Sequence, residues 1–319
     1  MSSWNQEPPV IFLLGPTASG KSELAVQVAQ TLNAEIISVD SAMVYRGMDI
    51  GTAKPAISTR SRVPHSLIDI REPWQDYSAA EFCNDAQAEI KRLRAAGRPM
   101  ILTGGTALYF RALEFGLSDL PGRDPAIRAE IQSEAARLGW PALHAQLAEL
   151  DELRARQIHP NDQQRIERAL EIVRVTGRPP SSLRASTRST ESGSILGNRH
   201  CKIVIAPDSR AALHERINQR LMQMMANNFL QEVERLVENP KISENNAAAR
   251  AVGYRQLWPV VADNLSITEG VERAKTATRQ LAKRQLTWLR AQKDAIWLHS
   301  GCAGNRKRVI ESIDRFSFR

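Results

Sequence analysis

Gly15-Pro16-Thr17-Ala18-Ser19-Gly20-Lys21-Ser22 has the spacing G-x-x-x-x-G-K-[ST]. Those residue types at that spacing bind a di- or triphosphate. Several backbone N–H groups of such a loop converge at a helix N-terminus, whose dipole favours anions. Lys21 adds a full positive charge, and the Ser22 hydroxyl can ligate Mg²⁺. The flanks are right: the apolar run Val10–Leu14 precedes the loop, and Ser22-Glu23-Leu24-Ala25-Val26 continues as a helix. The motif alone leaves open whether the phosphate belongs to a nucleotide.

Further candidates lie at the ends of other apolar runs. Asp40 follows Glu35–Val39 and opens Asp40-Ser41-Ala42-Met43-Val44-Tyr45. In a parallel sheet it would lie beside the phosphate loop, where a carboxylate can hold Mg²⁺ through water or act as a general base. The plain alternative is a helix N-cap. Gly104-Gly105-Thr106 follows Met100–Thr103; two glycines there allow a ligand to approach the backbone closely, and Thr106 can donate or accept a hydrogen bond. A tight turn with an N-cap explains the same residues. Arg216 and Arg220 lie four apart on one helix face, which could reach phosphates or could be a solvated face.

Two later stretches mix cations with aromatic residues: Arg250-Ala251-Val252-Gly253-Tyr254-Arg255 and Lys283-Arg284-Gln285-Leu286-Thr287-Trp288-Leu289-Arg290. RNA suits that mixture, since bases stack on aromatic rings and guanidinium planes while cations hold phosphates. The alternative is that Trp288 and Leu289 belong to the core. Gln164-Arg165-Ile166-Glu167-Arg168 carries two cations, but Glu167 weakens a pure phosphate-binding reading.

The elements that must position these residues follow from the pattern. Strand-like runs at Val10–Leu14, Glu35–Val39, Leu67–Ile70 and Met100–Thr103 alternate with helical stretches. That alternation predicts a parallel sheet covered by helices, with ligands at the carboxyl ends of the strands. Ser78 and Glu81 form a capping box for a helix ending near Ala96, before Gly97 and Pro99. Beyond about Asp119 helical patterns dominate: Ala126–Leu138, Pro141–Glu149 and Asp162–Val175, the first opened by Asp124-Pro125 as N-cap and N1. Ser181–Asn198, rich in Ser, Thr and Arg, reads as a mobile connection. Lys202–Ala206 then reads as another buried strand, with helices to the end. The fold class expected is α/β: a P-loop NTPase-like parallel sheet with flanking helices and a helical insertion domain. Its divisions are 1–118 (core, first part), 119–200 (insertion) and 201–319 (return to the core).

The chain of 319 residues carries a net charge of +8, which favours a polyanionic partner. No run of about 18 apolar residues could span a membrane, and the N-terminus does not read as a signal peptide. Three distant cysteines and six histidines in no zinc-binding spacing suggest neither a disulfide framework nor a zinc site. A cytoplasmic enzyme, monomeric and without membrane contact, is expected.

Taken together, these stretches closely resemble the tRNA dimethylallyltransferases, also called tRNA isopentenyltransferases. The resemblance rests on the phosphate loop, on the block Asp40 to Pro55, and on Tyr77-Ser78-Ala79-Ala80 and Gly104-Gly105-Thr106-Ala107-Leu108-Tyr109. It continues through His159-Pro160-Asn161-Asp162, Val252-Gly253-Tyr254-Arg255-Gln256 and Thr278 to Gln285. It covers nearly the whole chain in one order, and the Asp40–Pro55 block is far more specific than the phosphate loop. One departure is Ser66, where many relatives carry a second His.

The resemblance implies transfer of the dimethylallyl group from dimethylallyl diphosphate to N6 of the adenosine 3′ of the anticodon, in tRNAs reading codons that begin with U. It implies an insertion domain that grips the anticodon stem-loop. By that analogy Asp40 is the base, Thr106 lies against the reacting nucleotide, and Lys21, the loop Gly15 to Ser22, Arg216 or Arg220, and Mg²⁺ on Ser22 hold the diphosphate. On the RNA side it places Asp40, Ser41, Ala42, Met43, Thr106, Arg128, Gln164 to Arg168, Arg250 to Arg255 and Lys283 to Arg290. Three rivals share parts of the pattern: a small-molecule kinase, a prenyltransferase of free adenine nucleotides, and a non-catalytic RNA-binding protein with a nucleotide switch.

Overall fold

The structure, a computed structural model, describes residues 8–117, 120–187, 196, 200–262 and 264–317. The chain divides into two compact units, one formed by residues 1–115 and 194–319, the other by residues 116–193.

In chain order the first unit begins with β1 (Val10–Leu14), α1 (Lys21–Leu32), β2 (Glu35–Val39), α2 (Ile57–Arg62), β3 (His65–Ser66), α3 (Ala79–Ala95), β4 (Met100–Gly104) and α4 (Ala107–Phe115). The second unit holds α5 (Pro125–Leu138), α6 (Trp140–Leu150), α7 (Glu152–Ala155), α8 (Gln163–Thr176) and α9 (Pro180–Thr187). The chain then returns with β5 (His200–Ala206), α10 (Arg210–Ala226), α11 (Phe229–Val237), α12 (Tyr254–Val261), α13 (Ile267–Arg290), β6 (Ile296–His299) and α14 (Asn305–Ser317).

The six strands form one parallel sheet in the order β3-β2-β4-β1-β5-β6. β1 is apolar at every position because helices cover both faces of the sheet. Phe12, Leu102 and Phe110 pack on one face; Ile11, Leu13, Val28 and Val309 pack on the other. The register Leu14↔Gly104↔Val39 aligns the carboxyl ends of β1, β4 and β2. The phosphate loop, Gly105-Thr106 and Asp40 therefore leave the sheet at one edge. β4 stands between β1 and β2, so Asp40 is one strand further from the phosphate loop than an adjacent strand would put it.

Two expected elements differ. Leu67–Ile70 is not a strand; the pairing falls on His65–Ser66 instead. Leu67 and Asp69 have φ of +63° and +57°, left-handed values that break an extended run. Asp69 is held there by Lys54 at 2.6 Å and Arg60 at 2.7 Å. Leu67 and Ile68 are still buried, so the apolar signal was real and the conformation was not. The chain also does not run in helices to its end. β6 pairs with β5 from Ile203↔Ile296 to Ala206↔His299, and its short run flanked by charges carried little strand signal.

The second unit has its own core of Ile131, Leu143, Leu147, Ile166 and Leu170. Asp124 caps α5 by accepting from the amides of Ala126 and Ile127, and Gly177 ends α8 in the left-handed conformation. The expected connection over 181–198 begins as a helix, α9; its residues 188–195, 197 and 198 lie outside the described residues, as do Ser118 and Asp119 at the expected domain boundary. No helix among the described residues is long and apolar enough to cross a membrane.

Candidate active site

The phosphate loop is shaped by close packing. A Cβ on Gly15 would lie 2.5 Å from the Ile205 carbonyl and 2.6 Å from Ser19 Oγ, so only glycine fits. Gly20, at φ +84°, sits at the N-cap of α1 and supplies no side chain to cap it. The first-turn N–H groups of a twelve-residue helix are thus left without a capping side chain at this edge. Ser19 Oγ is buried without a hydrogen-bond partner. Lys21 folds back so that Nζ donates to the Pro16 carbonyl at 3.3 Å. Burial, and after it the Arg220 guanidinium, push the Lys21 ammonium down to about 8; the Asp40 carboxylate opposes them. An uncapped helix start, an orphaned hydroxyl and a lysine on a weak carbonyl contact together suit an incoming phosphate anion.

Asp40 serves both of its readings. Its Oδ1 accepts from the amides of Ala42 at 2.9 Å and Met43 at 3.3 Å, fixing the turn after β2. The side chain nevertheless lines the cleft with Lys21 and Arg220. Thr106 is equally double. Its carbonyl starts α4, while its Oγ1 accepts from the Ser41 amide at 3.0 Å and donates to Ser41 Oγ at 3.3 Å. This joins the turn after β4 to the turn after β2. Gly104 makes that join possible, since a Cβ there would fall 2.0 Å from the Val39 carbonyl.

Arg216 and Arg220 separate. Arg220 lines the cleft and donates to Thr17 Oγ1 at 3.5 Å; burial lowers its pKa against the pull of Asp40. Arg216 donates to Ser300 Oγ at 2.6 Å, past the end of β6, and does not line the cleft.

The cleft has a volume of about 410 Å³. Lys21, Ser22, Asp40, Thr106 and Arg220 make its polar lining, and Ile217, Leu221, Met224, Phe229 and Leu281 line it with apolar surface. It can therefore take an anion and a hydrocarbon group together. Among the described residues no cluster of three or more His, Cys, Asp or Glu could hold a metal alone. Ser22 and Asp40 both line the cleft and offer only oxygen donors. That is the set a hard cation such as Mg²⁺ completes with water and phosphate oxygens.

Residues placed on the RNA side fall into three groups. Ser41, Arg250, Arg255, Lys283, Arg284, Thr287, Arg290, Gln164 and Arg165 are exposed. Ala42, Met43, Ala251 and Val252 line the cleft, partly accessible. Others are turned inward, although Gly253, Tyr254 and Gln285 also border the cleft. Tyr254 is fully buried and donates to Glu232. Gly253 and Leu289 are buried, Leu286 packs on the core, and Trp288 stacks on Phe110 at 5.7 Å. Gln285 is buried and bonds two loops of the site. Ile166 is core to the second unit. Glu167 and Glu171 there take up Arg128, and Glu171 also takes Arg168 at 2.7 Å. Burial alone would raise Glu171, but hydrogen bonds from Arg128, Arg168 and the Asp124 amide outweigh it and hold the carboxyl down to about 2. Those two arginines are thus engaged within their own unit.

The sequence reading missed Glu232. Its carboxylate accepts from the amides of Asp49 at 2.9 Å, Ile50 at 2.8 Å and Gly51 at 3.0 Å. It therefore fixes the loop after Met48 against α11 and α12. A glutamate on an amphipathic helix carries no signal of such a role. Ser66, the departure noted above, donates to Glu89 at 2.7 Å and does not line the cleft, whereas His65 does.

The family model described as IPP transferase matches residues 43–292. The chain is 50% identical to a tRNA dimethylallyltransferase of Methylococcus capsulatus over 306 residues, covering 96% of this chain and 97% of that one. It is 52% identical over 289 residues to a tRNA dimethylallyltransferase of Nitrosococcus oceani, covering 91% of each. Among solved structures it is similar to a tRNA isopentenylpyrophosphate transferase from Bacillus halodurans, with a TM-score of 0.69, 32% identity, and 98% and 99% of the two chains covered.

Proposed function

Because the chain belongs to the tRNA dimethylallyltransferase (IPP transferase) family, we propose that it transfers the dimethylallyl group of dimethylallyl diphosphate to N6 of the adenosine 3′-adjacent to the anticodon. Its substrates are tRNAs reading codons that begin with U, and it acts as a cytoplasmic monomer. The observation that carries this reading is the shared cleft: Asp40 and Thr106 open onto the same apolar-lined space as the uncapped phosphate loop, Lys21 and Arg220.

An adenine amino group is a poor nucleophile because its lone pair is delocalised into the ring. It gains from losing a proton as it attacks. The Asp40 oxygen not engaged by the turn accepts that proton. Thr106, held by Ser41, orients the base. N6 bonds to C1 of the prenyl group as the C1–O bond breaks, and both electrons of that bond leave with the diphosphate. Negative charge grows on the diphosphate, and the α1 amides, Lys21 and Arg220 stabilise it. A Mg²⁺ ion held by Ser22, and through water by Asp40, would neutralise further phosphate charge. The apolar lining shields the allylic carbon from water. To enter the cleft the adenosine leaves its stack, at a cost of roughly a few kcal/mol. The exposed cations Arg250, Arg255, Lys283, Arg284 and Arg290 hold the RNA backbone, and the unit of residues 116–193 grips the anticodon stem-loop.

The test is direct. The protein is mixed with Mg²⁺, radiolabelled dimethylallyl diphosphate and an unmodified anticodon stem-loop, with AMP and ATP in parallel. Label should appear on the RNA and vanish when the target adenosine becomes guanosine. Label on AMP alone would make the protein a free-nucleotide prenyltransferase, and ATP turnover without label would make it a kinase.

A further inference from the structure

α13 presents two faces. Lys283, Arg284 and Thr287 face solvent. Thr278 and Leu281 line the cleft, and Ala282, Gln285 and Leu289 are buried. Gln285 is the polar member of this buried set. Its Oε1 accepts from the Thr17 amide in the phosphate loop at 2.9 Å, and its Nε2 donates to the Gly105 carbonyl after β4 at 3.0 Å. Both ends of the amide are satisfied and their direction is unambiguous, because the Thr17 backbone N–H can only donate and the Gly105 carbonyl can only accept. A Cβ on Gly105 would lie 2.5 Å from Gln285 Nε2, so the glycine leaves room for this contact.

The bridge joins the two halves of the reaction. Thr17 belongs to the loop placed around the leaving group. Gly105 adjoins Thr106, whose hydroxyl holds the Ser41 amide beside Asp40. Two hydrogen bonds of Gln285, the Gly105–Thr106 peptide link and the Thr106–Ser41 bond therefore connect the phosphate loop to the turn that presents the base. β1 and β4 pair as neighbours only as far as Leu14↔Gly104. Beyond that point no strand pairing fixes the distance between their loops, and the Gln285 amide bonds both.

We infer that Gln285 is a positioning residue: it sets the span between the diphosphate loop and the acceptor turn, and does not act as an RNA contact. The inference rests on the transferase reading above. Reacting atoms must meet within a few tenths of an ångström, and a displacement of about 1 Å can cost on the order of a hundredfold in rate.

The test uses Gln285→Met, which keeps the volume and loses both bonds, and Gln285→Glu, which keeps the acceptor for Thr17 and loses the donor to Gly105. Single-turnover transfer is measured with both substrates saturating, so that a smaller folded fraction changes the amplitude and not the rate constant. The expected result is a rate constant lower by about tenfold or more in both variants, with stem-loop affinity within about twofold of wild type. Combined with Thr106→Ala, Gln285→Met should slow the reaction by less than the product of the two single effects, since the residues share one network. A rate constant unchanged in the foldable variants, or a loss confined to RNA affinity, would overturn the inference. Failure of the wild-type protein to transfer label would instead bring down the transferase reading and this one with it.

Discussion

Lys21 makes the phosphate loop sensitive to pH near 8. Burial and the Arg220 charge hold its ammonium at about 8 in the free protein. A diphosphate requires the charged form, so its apparent affinity should fall as pH rises through that value. If only the protonated form binds, the dissociation constant grows by about twofold at pH 8 and about elevenfold at pH 9, relative to neutral and lower pH. Binding should also draw in a proton, about half a proton per ligand at pH 8. The assay is calorimetric titration with an alkyl diphosphate, whose terminal phosphate has its last pKa at about 6, in buffers of different ionisation heat. Two variants test the causes: Arg220→Gln should move the break upward by removing a like charge, and Asp40→Asn should move it downward. The stability consequence has the opposite sense. The amine is held below its ordinary value of 10.5, so the unfolded chain binds more protons between about 8 and 10.5 and the free protein gains stability as pH rises through that window. An affinity flat from pH 7 to 10, with no proton uptake, would refute the placement of Lys21 against the ligand.

Asp40→Asn keeps an acceptor for the Ala42 and Met43 amides and removes the base; turnover should fall by about 10²–10⁴ with both substrate affinities within a few fold, and unchanged turnover would favour a non-catalytic role. Glu232→Ala leaves three loop amides and the Tyr254 hydroxyl without their carboxylate, so denaturant unfolding should show a loss of about 3 kcal/mol or more; a loss under about 1 kcal/mol would show that water replaces it freely. Glu171 is held below its ordinary value of 4.5, down to about 2. Its contribution is present above 4.5 and is lost as pH falls through about 2. Thermal unfolding should therefore show the gap between wild type and Glu171→Gln closing over that interval, and a constant gap would contradict the pairing.

Much of the site was legible because glycine and charge leave strong traces. Gly15 and the pair Gly104-Gly105 mark places where a Cβ has no room, with carbonyl or side-chain atoms within 2.5 Å of where it would be, and Gly20 marks a left-handed turn. The capping box at Ser78 and Glu81 stands as the spacing predicted. What the sequence hid are choices made by tertiary contact. Arg216 and Arg220 share a helix face and a residue type, and only the position of Ser300 and Thr17 around that helix tells them apart. Gln285 sits among exposed cations, and composition drew it to the RNA side. Its spacing from Thr278, Leu281 and Leu289 would have put it on the inward stripe. β6 was missed because four residues of an edge strand hold too little apolar pattern to outweigh helical neighbours.

The Thr17–Gln285 bond spans 268 residues, and the unit of residues 116–193 is threaded between the segments that supply its two ends. Synthesis runs from the N-terminus, so the phosphate loop emerges from the ribosome long before α13 exists. For the first part of that interval β1 also lacks β5, one of its two strand neighbours. Pairing over such distances is slow, because a long loop must close before any contact rewards it. The N-terminal segment thus waits as a half-sheet with an unpaired edge, able neither to hold its phosphate loop in register nor to bind a diphosphate productively. Ligand binding belongs to the finished chain, and a protein stalled before β5 is the form most exposed to aggregation through β1.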